Sequence, residues 1–109
     1  MKQFLDEVQT AHLISLGFPK PKSVSKLTLD LDMDTIPSFN YSIGELLEFL
    51  PKQIENENEL PKVLEIHTCR NYWIVYYSNF RKIGYYYHSK ELIDAIYNMV
   101  VELKKDEVI

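Results

Sequence analysis

Cysteine, glycine and long apolar runs are all scarce in this chain of 109 residues. The single cysteine, Cys69, cannot form an intramolecular disulfide, and one cysteine is too few for a cysteine-based metal cluster. The three glycines, Gly17, Gly44 and Gly84, are isolated, whereas a phosphate-binding loop needs several glycines close together. We therefore predict no disulfide, no cysteine-bound metal and no cofactor.

No apolar run approaches the ~20 residues that a membrane-spanning helix requires. The N-terminal residues Met1–Glu7 are amphipathic and acidic, and they lack the apolar core of a secretion signal. The hydrophobic content of 46% is ordinary for a globular domain. We expect one soluble domain over residues 1–109, located in the cytoplasm and not bound to a membrane.

Positive charge is also in deficit. The formal net charge is −4, and the isoelectric point is about 5.3. Proteins that bind nucleic-acid backbones usually cluster Lys and Arg, which displace counterions from the phosphates. The charge balance therefore argues against backbone binding as the main activity, although it leaves room for a local basic patch.

The C-terminal half of the chain has the clearest periodicity. Short segments of alternating side chains follow one another with brief turns between them, which is typical of antiparallel strands. We predict strands at Val63–Cys69, Tyr72–Ser78 and Lys82–Tyr87, with Asn71 in the left-handed conformation of the first turn. Ser89 is expected to cap a final amphipathic helix.

The first third of the chain predicts one helix and one strand. Apolar spacings of three and four indicate a helix over residues 3–16, with Val8 on its buried stripe. Strict alternation over Lys26–Met33 predicts a half-buried strand. Pro37 favours a loop over residues 34–40, because proline interrupts regular hydrogen bonding.

A second helix is predicted to begin at Ser42. Ser42 and Glu45 have the spacing of a capping box, in which each side chain accepts a hydrogen bond from the backbone of the other. Pro51 should end or bend this helix near Leu50. We expect helical structure to resume over Lys52–Glu55.

The resulting order, α-β-α-β-β-β-α, predicts a two-layer α+β sandwich in which helices cover an antiparallel sheet of three to four strands. The segment from Ile43 to Leu103 has the αβββα order of double-stranded-RNA-binding domains. Those domains hold phosphates with a basic cluster at the start of their final helix, whereas this chain has Ser89-Lys90-Glu91 there. The likeness is therefore one of topology only, and topology does not carry function.

Asp30, Asp32 and Asp34 have the spacing of the first ligands of a calcium-binding loop. Such a loop would also need glycine and a bidentate glutamate where this chain has Thr35 and Tyr41. Strand alternation produces the same spacing, so the solvated face of an edge strand is the preferred explanation. We predict no metal ligands.

The histidines His12, His67 and His88 are the candidates for acid–base chemistry. No two of them have the close spacing of a metal-binding pair. Glu65, His67 and Cys69 would share one strand face, but nothing around Cys69 resembles a nucleophile-bearing turn. A polar outer sheet face explains these residues better, so we predict no catalytic residues and no enzymatic activity.

The middle C-terminal strand is apolar on both faces, which predicts cover on both sides. Helices would cover one face, and either the first helix or a partner would cover the other, which would carry Tyr72, Ile74, Tyr76 and Tyr86. Tyr is frequent at interfaces because it combines apolar area with a polar tip. We predict a non-enzymatic interaction domain that binds an unknown protein partner, or a second copy of itself, through this face.

A second interpretation assigns the same face to nucleic acid. Aromatic side chains can stack on bases, while Arg70, Arg81 and Lys82 contact phosphates and His88 adds a further ring. The deficit of positive charge makes nucleic acid the less favoured partner.

Three parts of the chain carry a family resemblance when they are taken together. They are Ala11–Phe18, Ser42–Pro51, and the C-terminal pair Trp73–Tyr77 with Glu91–Val100. In these parts the chain resembles small uncharacterised proteins encoded by phages and mobile elements of gut anaerobic bacteria. The resemblance implies a bacterial or phage-infected cytoplasm and a small accessory role, and it implies no reaction and no catalytic residue.

Overall fold

The structure is a computed structural model that describes every residue from 1 to 109. Its elements follow the order α-β-β-α-β-β-β-β-α, which confirms the predicted α+β class and adds two strands. The helices are α1 (Glu7–Ser15), α2 (Ile43–Phe49) and α3 (Leu92–Lys105). The strands are β1 (Val24–Leu29), β2 (Thr35–Phe39), β3 (Gln53–Asn56), β4 (Glu59–Cys69), β5 (Tyr72–Ser78) and β6 (Ile83–Ser89).

Four strands form the main sheet in the order β3-β4-β5-β6, and all neighbouring pairs are antiparallel. The three predicted C-terminal strands are present, and β5 lies between β4 and β6, as expected for strands joined by short turns. The β4–β5 turn places Arg70, and not Asn71, in the left-handed region, at φ 56°. Positive φ at the first central residue alone is typical of a type II′ hairpin turn, whereas a type I′ turn has positive φ at both central residues. The intrinsic preference of Asn for positive φ does not decide between these two types.

The fourth strand, β3, lies where helical structure was expected to resume, so that prediction is wrong. Pro51 follows α2, and the chain then runs extended. Gln53 and Ile54 pair with Val63 and Lys62 of β4, which is 11 residues long and reaches beyond the end of β5. A four-residue helix would leave most of its backbone groups without partners, whereas pairing with β4 gives them partners. The segment between α2 and α3 is therefore ββββ and not βββ.

The helices cover one face of the main sheet, here called the inner face. Val75 and Tyr77 of β5 are fully buried beneath them. The Tyr77 hydroxyl donates to the carbonyl oxygen of Pro51 at 2.6 Å, which gives the polar atom of this ring a partner. Burial of each apolar side chain in this layer contributes ~1.5–3 kcal/mol to folding. The core side chains that α3 supplies are Ile93, Ala95, Ile96, Met99, Val100 and Leu103.

Side-chain caps begin the first two helices but not the third. The predicted capping box of α2 is confirmed: Glu45 N–H donates to Ser42 Oγ at 3.2 Å, and Ser42 N–H donates to Glu45 Oε1 at 3.1 Å. The prediction that Ser89 caps α3 is wrong, since Ser89 is the last residue of β6. The N-cap of α3 is Glu91, whose N–H donates to the Ser89 hydroxyl at 3.2 Å.

The first helix begins later than predicted, at Glu7, because Asp6 and Gln9 form a second capping box. The predicted buried stripe is also wrong. Val8 is 80% exposed, whereas Thr10 and Leu13 are buried. Thr10 accepts a hydrogen bond from Asn40 Nδ2 at 3.0 Å and Leu13 joins the hydrophobic core, and the apolar spacing within α1 does not report these contacts.

The N-terminal segment and α1 lie against α3, on the inner side of the sheet. Gln9 Nε2 and Lys2 Nζ each donate to Asp94 Oδ1 at 2.9 Å. His12 Nδ1 lies 2.5 Å from the hydroxyl oxygen of Tyr97. Because α1 is held on α3, it does not cover the opposite face of the main sheet, which answers the question of which face the first helix packs on.

Strands β1 and β2, with the turn between them, form a separate two-stranded sheet, here called the arm. The predicted strand over Lys26–Met33 is too long, and the predicted loop over residues 34–40 is wrong, because the chain reverses direction before Asp34. Asp30 Oδ1 accepts hydrogen bonds from the N–H groups of Asp32 and Asp34 at 2.9 and 2.8 Å. This side-chain turn converts one long alternating segment into a hairpin.

The arm projects from the body of the domain. Its strands pair with each other and with no strand of the main sheet. The molecule measures 61 × 33 × 17 Å, and its radius of gyration is 16.2 Å. A compact domain of this length would have a radius of gyration of about 13 Å. The predicted burial of the arm is also wrong, since Leu27 and Leu29 are both exposed.

Candidate binding surface

The face of the main sheet opposite the helices is here called the outer face. The strand register fixes its members, because paired residues of antiparallel strands point to the same side. Glu65 pairs with Tyr76 and His67 with Ile74, while Tyr76 pairs with Tyr86 and Ile74 with His88. The outer face comprises Val63, Glu65, His67 and Cys69 of β4, Tyr72, Ile74, Tyr76 and Ser78 of β5, and Tyr86 and His88 of β6.

Aromatic rings form a continuous layer on the outer face. His67 stacks on Tyr76 with a centroid distance of 5.5 Å, and Tyr76 lies 6.4 Å from Tyr86. Tyr86 is 5.9 Å from His88, which meets the edge of Tyr72 at 5.7 Å. These distances lie within the range of favourable aromatic pairs. The layer therefore holds its own side chains in place before any partner arrives.

The outer face is open to solvent. Tyr72 is 43% exposed and Tyr86 is 46% exposed, while Ile74 and Tyr76 are half-buried by their neighbours on the sheet. The structure thus places all four of the predicted aromatic and aliphatic residues on one uncovered surface. Their apolar area is exposed to water in the isolated chain.

Glu65 adds a negative charge at the β4 side of the outer face. The Ser78 hydroxyl donates to Glu65 Oε2 at 2.8 Å, and His67 Nε2 lies 3.7 Å from Oε1. The Ser78 hydrogen bond, followed by smaller contributions from Tyr76 and His67, lowers the pKa of Glu65. Loss of solvent and the Glu65 carboxylate raise the pKa of Tyr76. At neutral pH the face therefore presents an ionised carboxylate beside neutral tyrosine hydroxyls.

The predicted basic residues are not brought together. Arg70 is in the β4–β5 turn, whereas Arg81 and Lys82 precede β6 at the opposite end of β5. The length of β5 separates the two ends by roughly 20 Å. Lys82 forms an ion pair with Glu59, and the Arg81 guanidinium lies 5.5 Å from the centre of the Phe80 ring. These cations lie at the two ends of the outer face and do not form a basic patch on it.

One cleft is lined by Glu57, Asn79 and Arg81 at the end of the sheet, and another is lined by Glu65 and Phe80 at the β4 side of the outer face. His67 and His88 line none of these clefts and stand on the open sheet surface. No group of three or more His, Cys, Asp or Glu side chains is close enough to hold a metal ion.

Comparisons of the chain with protein-family models, with curated proteins and with solved structures found no match. The resemblance to proteins of phages and mobile elements therefore stays a prediction. None of the three helices has the length and apolar composition needed to cross a membrane.

The sequence predicted that Glu65 and His67 lie on a polar sheet face, but it did not place them in the same candidate binding surface as the aromatic residues. The signal was present, since alternation within β4 places them on the side opposite Leu64 and Ile66. The exposed arm was missed for a different reason. Alternation at Leu27 and Leu29 predicted an apolar side, and nothing local indicated that no helix would cover it.

Proposed function

We propose that this protein is a non-enzymatic binding domain that contacts a protein partner through its outer face. The observation that carries the proposal is the continuous aromatic layer from His67 to Tyr72, left open on the side of the sheet that no helix covers. A rigid layer of Tyr rings offers apolar contact area with hydroxyl groups that can hydrogen-bond at its edge. Little side-chain entropy is lost when such a layer binds, because its rings already pack on one another.

A protein partner fits this surface better than a nucleic acid. Glu65 places a negative charge among the rings, and Lys82 is neutralised by Glu59. A single-stranded nucleic acid would need cations along the path of its backbone, and here Arg70 and Arg81 lie at opposite ends of the sheet. Stacking of bases on Tyr76 and Tyr86 stays the alternative, because every base can stack on an aromatic ring.

A binding role also fits better than catalysis. General acid–base chemistry needs a site that holds a substrate and excludes water. His67 lies on the open sheet surface, and the cleft that Glu65 lines with Val63 and Phe80 has no second acid or base among its lining residues. The proposal therefore treats these two side chains as polar contacts at the edge of the aromatic layer.

Capture of partners by surface variants tests the proposal. The wild type, Tyr76→Glu and Val8→Glu would be used as baits in nuclease-treated extracts of the cells from which the protein comes. Val8→Glu is the matched control, because Val8 is 80% exposed and lies on α1, which is held on α3 and not on the outer face. We expect the wild type and Val8→Glu to capture the same protein and Tyr76→Glu to lose it. A partner captured equally by all three baits would contradict the proposal.

Two further measurements test whether a second copy of the chain or a nucleic acid binds to the outer face. Light scattering of wild type and Tyr76→Glu tests self-association through this face: a mass that is unchanged by the substitution, with the fold intact, removes that form of the proposal. Filter binding with single-stranded DNA and RNA at low and moderate salt tests the alternative. Salt-dependent binding at micromolar protein that Tyr76→Glu abolishes would replace the protein partner with nucleic acid.

A further inference from the structure

The arm carries the most exposed aliphatic surface of the molecule. Leu27, Leu29, Leu31 and Met33 are between 59% and 103% exposed. Single exposed apolar side chains are ordinary on protein surfaces, whereas a contiguous group of aliphatic side chains marks an interaction site. Leu27 and Leu29 lie on β1, and Leu31 and Met33 lie in the turn that follows it, so all four belong to one short segment at the end of the arm.

The two faces of the arm differ in chemistry. Leu27 pairs with Pro37, and Leu29 pairs with Thr35, so these four side chains share one face. The opposite face pairs Lys26 with Ser38 and Thr28 with Ile36. The first face carries two leucines and a proline beside one threonine, and it is here called the apolar face of the arm.

The base of the arm is firmly held to the domain. Ser25 Oγ donates to Asn40 Oδ1 at 2.7 Å, and Asn40 Nδ2 donates to Thr10 Oγ1 on α1 at 3.0 Å. The Lys22 N–H donates to Glu45 Oε2 at the start of α2, at 2.9 Å. Beyond these anchors the two strands have only each other. A two-stranded hairpin without further cover is marginally stable in water, so the rest of the arm needs a partner.

We propose that a second copy of this chain covers the arm, and that two arms pack through their apolar faces in antiparallel orientation about a two-fold axis. A two-fold interface requires a surface that is complementary to itself. The arm meets this requirement through its apolar face and through the distribution of its charges. Edge-to-edge pairing of two arms would leave Leu27 and Leu29 in water, so the contact is between faces and not between strand edges.

Charge selects the antiparallel orientation. The tip of the arm carries Asp30, Asp32 and Asp34, none of which has an ion-pair partner within the chain. The base and its approach carry Lys20, Lys22 and Lys26, which also lack ion pairs. In antiparallel arms the acidic tip of one copy lies beside the basic base of the other. Parallel arms would bring two acidic tips together, which is unfavourable.

The area available lies at the lower limit for a specific interface. Burial of an aliphatic side chain removes on the order of 100 Å² from water, so the four side chains of two copies supply on the order of 800 Å². Specific interfaces begin at about 1,200 Å² of total buried surface, and crystal-type contacts mostly stay below about 800 Å². The four side chains alone therefore fall short, and the dimer requires that both arms also bury Pro37, Thr35 and the strand backbones.

The oligomeric state tests the proposal independently of the outer face. We expect the wild type to scatter light as a dimer at micromolar concentrations, with about twice the 12.9 kDa mass of one chain. Leu29→Glu should be monomeric, because it places a carboxylate in the centre of the contact. Thr28→Glu is the matched control, since it adds the same charge to the opposite face of the same strand. Tyr76→Glu, which changes the outer face, should also stay dimeric.

The outcomes are decisive in both directions. A monomeric wild type, a dimeric Leu29→Glu, or equal loss of the dimer in Thr28→Glu would each overturn the proposal. Loss of the dimer in Tyr76→Glu alone would assign self-association to the outer face instead. Circular dichroism confirms that each variant is folded. If Leu29→Glu does not fold, Leu31→Asp serves in its place, because Leu31 lies at the fully exposed tip.

Disulfide trapping tests the orientation of the arms. In a Cys69→Ser background, copies with Leu31→Cys at the tip would be mixed with copies with Lys22→Cys at the base and then oxidised. The antiparallel arrangement predicts tip-to-base crosslinks and no tip-to-tip crosslinks. Tip-to-tip crosslinks, or a dimer that forms no crosslink between tip and base, would contradict the antiparallel arrangement.

Discussion

The arm and the centre of the main sheet show the same alternation of side chains but have opposite surroundings. Val75 and Tyr77 of β5 are fully buried, whereas Leu27 and Leu29 of β1 are in water. The chain after β5 continues through β6 into α3, which packs back over the inner face. The chain after the arm continues into α2, which packs on α3 and not on the arm. Alternation therefore defines the two faces of a strand, and the later course of the chain decides which face is buried.

The two open surfaces of the molecule also differ from each other. The outer face is made of Tyr and His, whose rings combine apolar area with polar atoms that tolerate water. The apolar face of the arm is made of Leu27, Leu29 and Pro37, with Thr35 as its one polar side chain. A tyrosine layer can remain uncovered until a partner binds, whereas an aliphatic surface favours permanent cover. This difference suggests an exchangeable partner for the outer face and a constitutive one for the arm.

The largest expected difference between the two regions is in core packing. Ile96→Ala removes a fully buried side chain beneath the main sheet, and we expect it to lower the free energy of unfolding by about 2–5 kcal/mol. Leu29→Ala in the arm should change the stability of the monomer by no more than about 0.5 kcal/mol. Urea unfolding, followed by circular dichroism at concentrations where the protein is monomeric, measures both. Equal losses would show that the arm belongs to the core.

A smaller difference is expected between two glycines. A Cβ at Gly84 of β6 would lie 2.8 Å from Lys62 Cδ, so Gly84→Ala must displace this buried lysine. Lys62 Nζ donates to Glu59 at 2.6 Å, and its displacement weakens that ion pair. We expect Gly84→Ala to destabilise the fold by about 1–3 kcal/mol.

Gly44 in α2 is the matched control. A Cβ there would meet nothing closer than Ser42 Oγ at 3.9 Å. Because alanine favours helix over glycine, Gly44→Ala should stabilise the protein by roughly 0.5–1 kcal/mol. Thermal unfolding of the two variants would give shifts of opposite sign. A neutral Gly84→Ala would mean that the Lys62 side chain can leave its position without loss.

The smallest expected effect is a dependence of stability on acid at the β3–β4 end of the main sheet. Hydrogen bonds from Lys62 and Lys82 lower the pKa of Glu59 to about 2. A carboxylate whose pKa is lower in the folded state stabilises the fold above its unfolded pKa, near 4.5. This contribution is lost as the pH falls from about 4.5 towards 2. Urea unfolding across this range should therefore show a shallower pH dependence for Glu59→Gln than for the wild type.

Glu57 provides the control for this measurement. It lies in the same hairpin turn and forms no ion pair. Glu57→Gln should leave the pH dependence of stability close to that of the wild type. An equal change in both variants would mean that general charge, and not the Lys62–Glu59–Lys82 cluster, produces the effect.

Local signals in the sequence predicted much of the main sheet. The capping box at Ser42 and Glu45 and the alternation in β5 depend on neighbouring residues, so they are visible in the sequence. The errors in the strands concern pairing over a distance, whereas those at Asn71, at Ser89 and at the start of α1 concern local turn and cap geometry. Pro37 favoured a loop, yet proline is tolerated on the edge of a sheet, and both strands of the arm are edges. Residues 53–56 became a strand because β4 extends far enough to pair with them.

Four residues of the outer face were predicted, and the exposure of the arm was not. The positions of Tyr72, Ile74, Tyr76 and Tyr86 follow from strand alternation alone. The separation of Arg70 from Arg81 follows from their turns at the two ends of β5, whereas the ion pair of Lys82 with Glu59 is a tertiary fact. The exposure of the arm is also a tertiary fact, since it depends on the course of the chain after Asn40.

Hydrogen–deuterium exchange, followed along the whole chain, tests most directly the claim that the arm is covered by a second copy. In the wild type we expect the amides of β1 and β2 to be protected in a concentration-dependent way, while those of β5 are protected at every concentration. Leu29→Glu should remove the protection of the arm and leave β5 unchanged. Arm amides that exchange in the wild type as fast as those of an open loop, at all concentrations, would contradict the account.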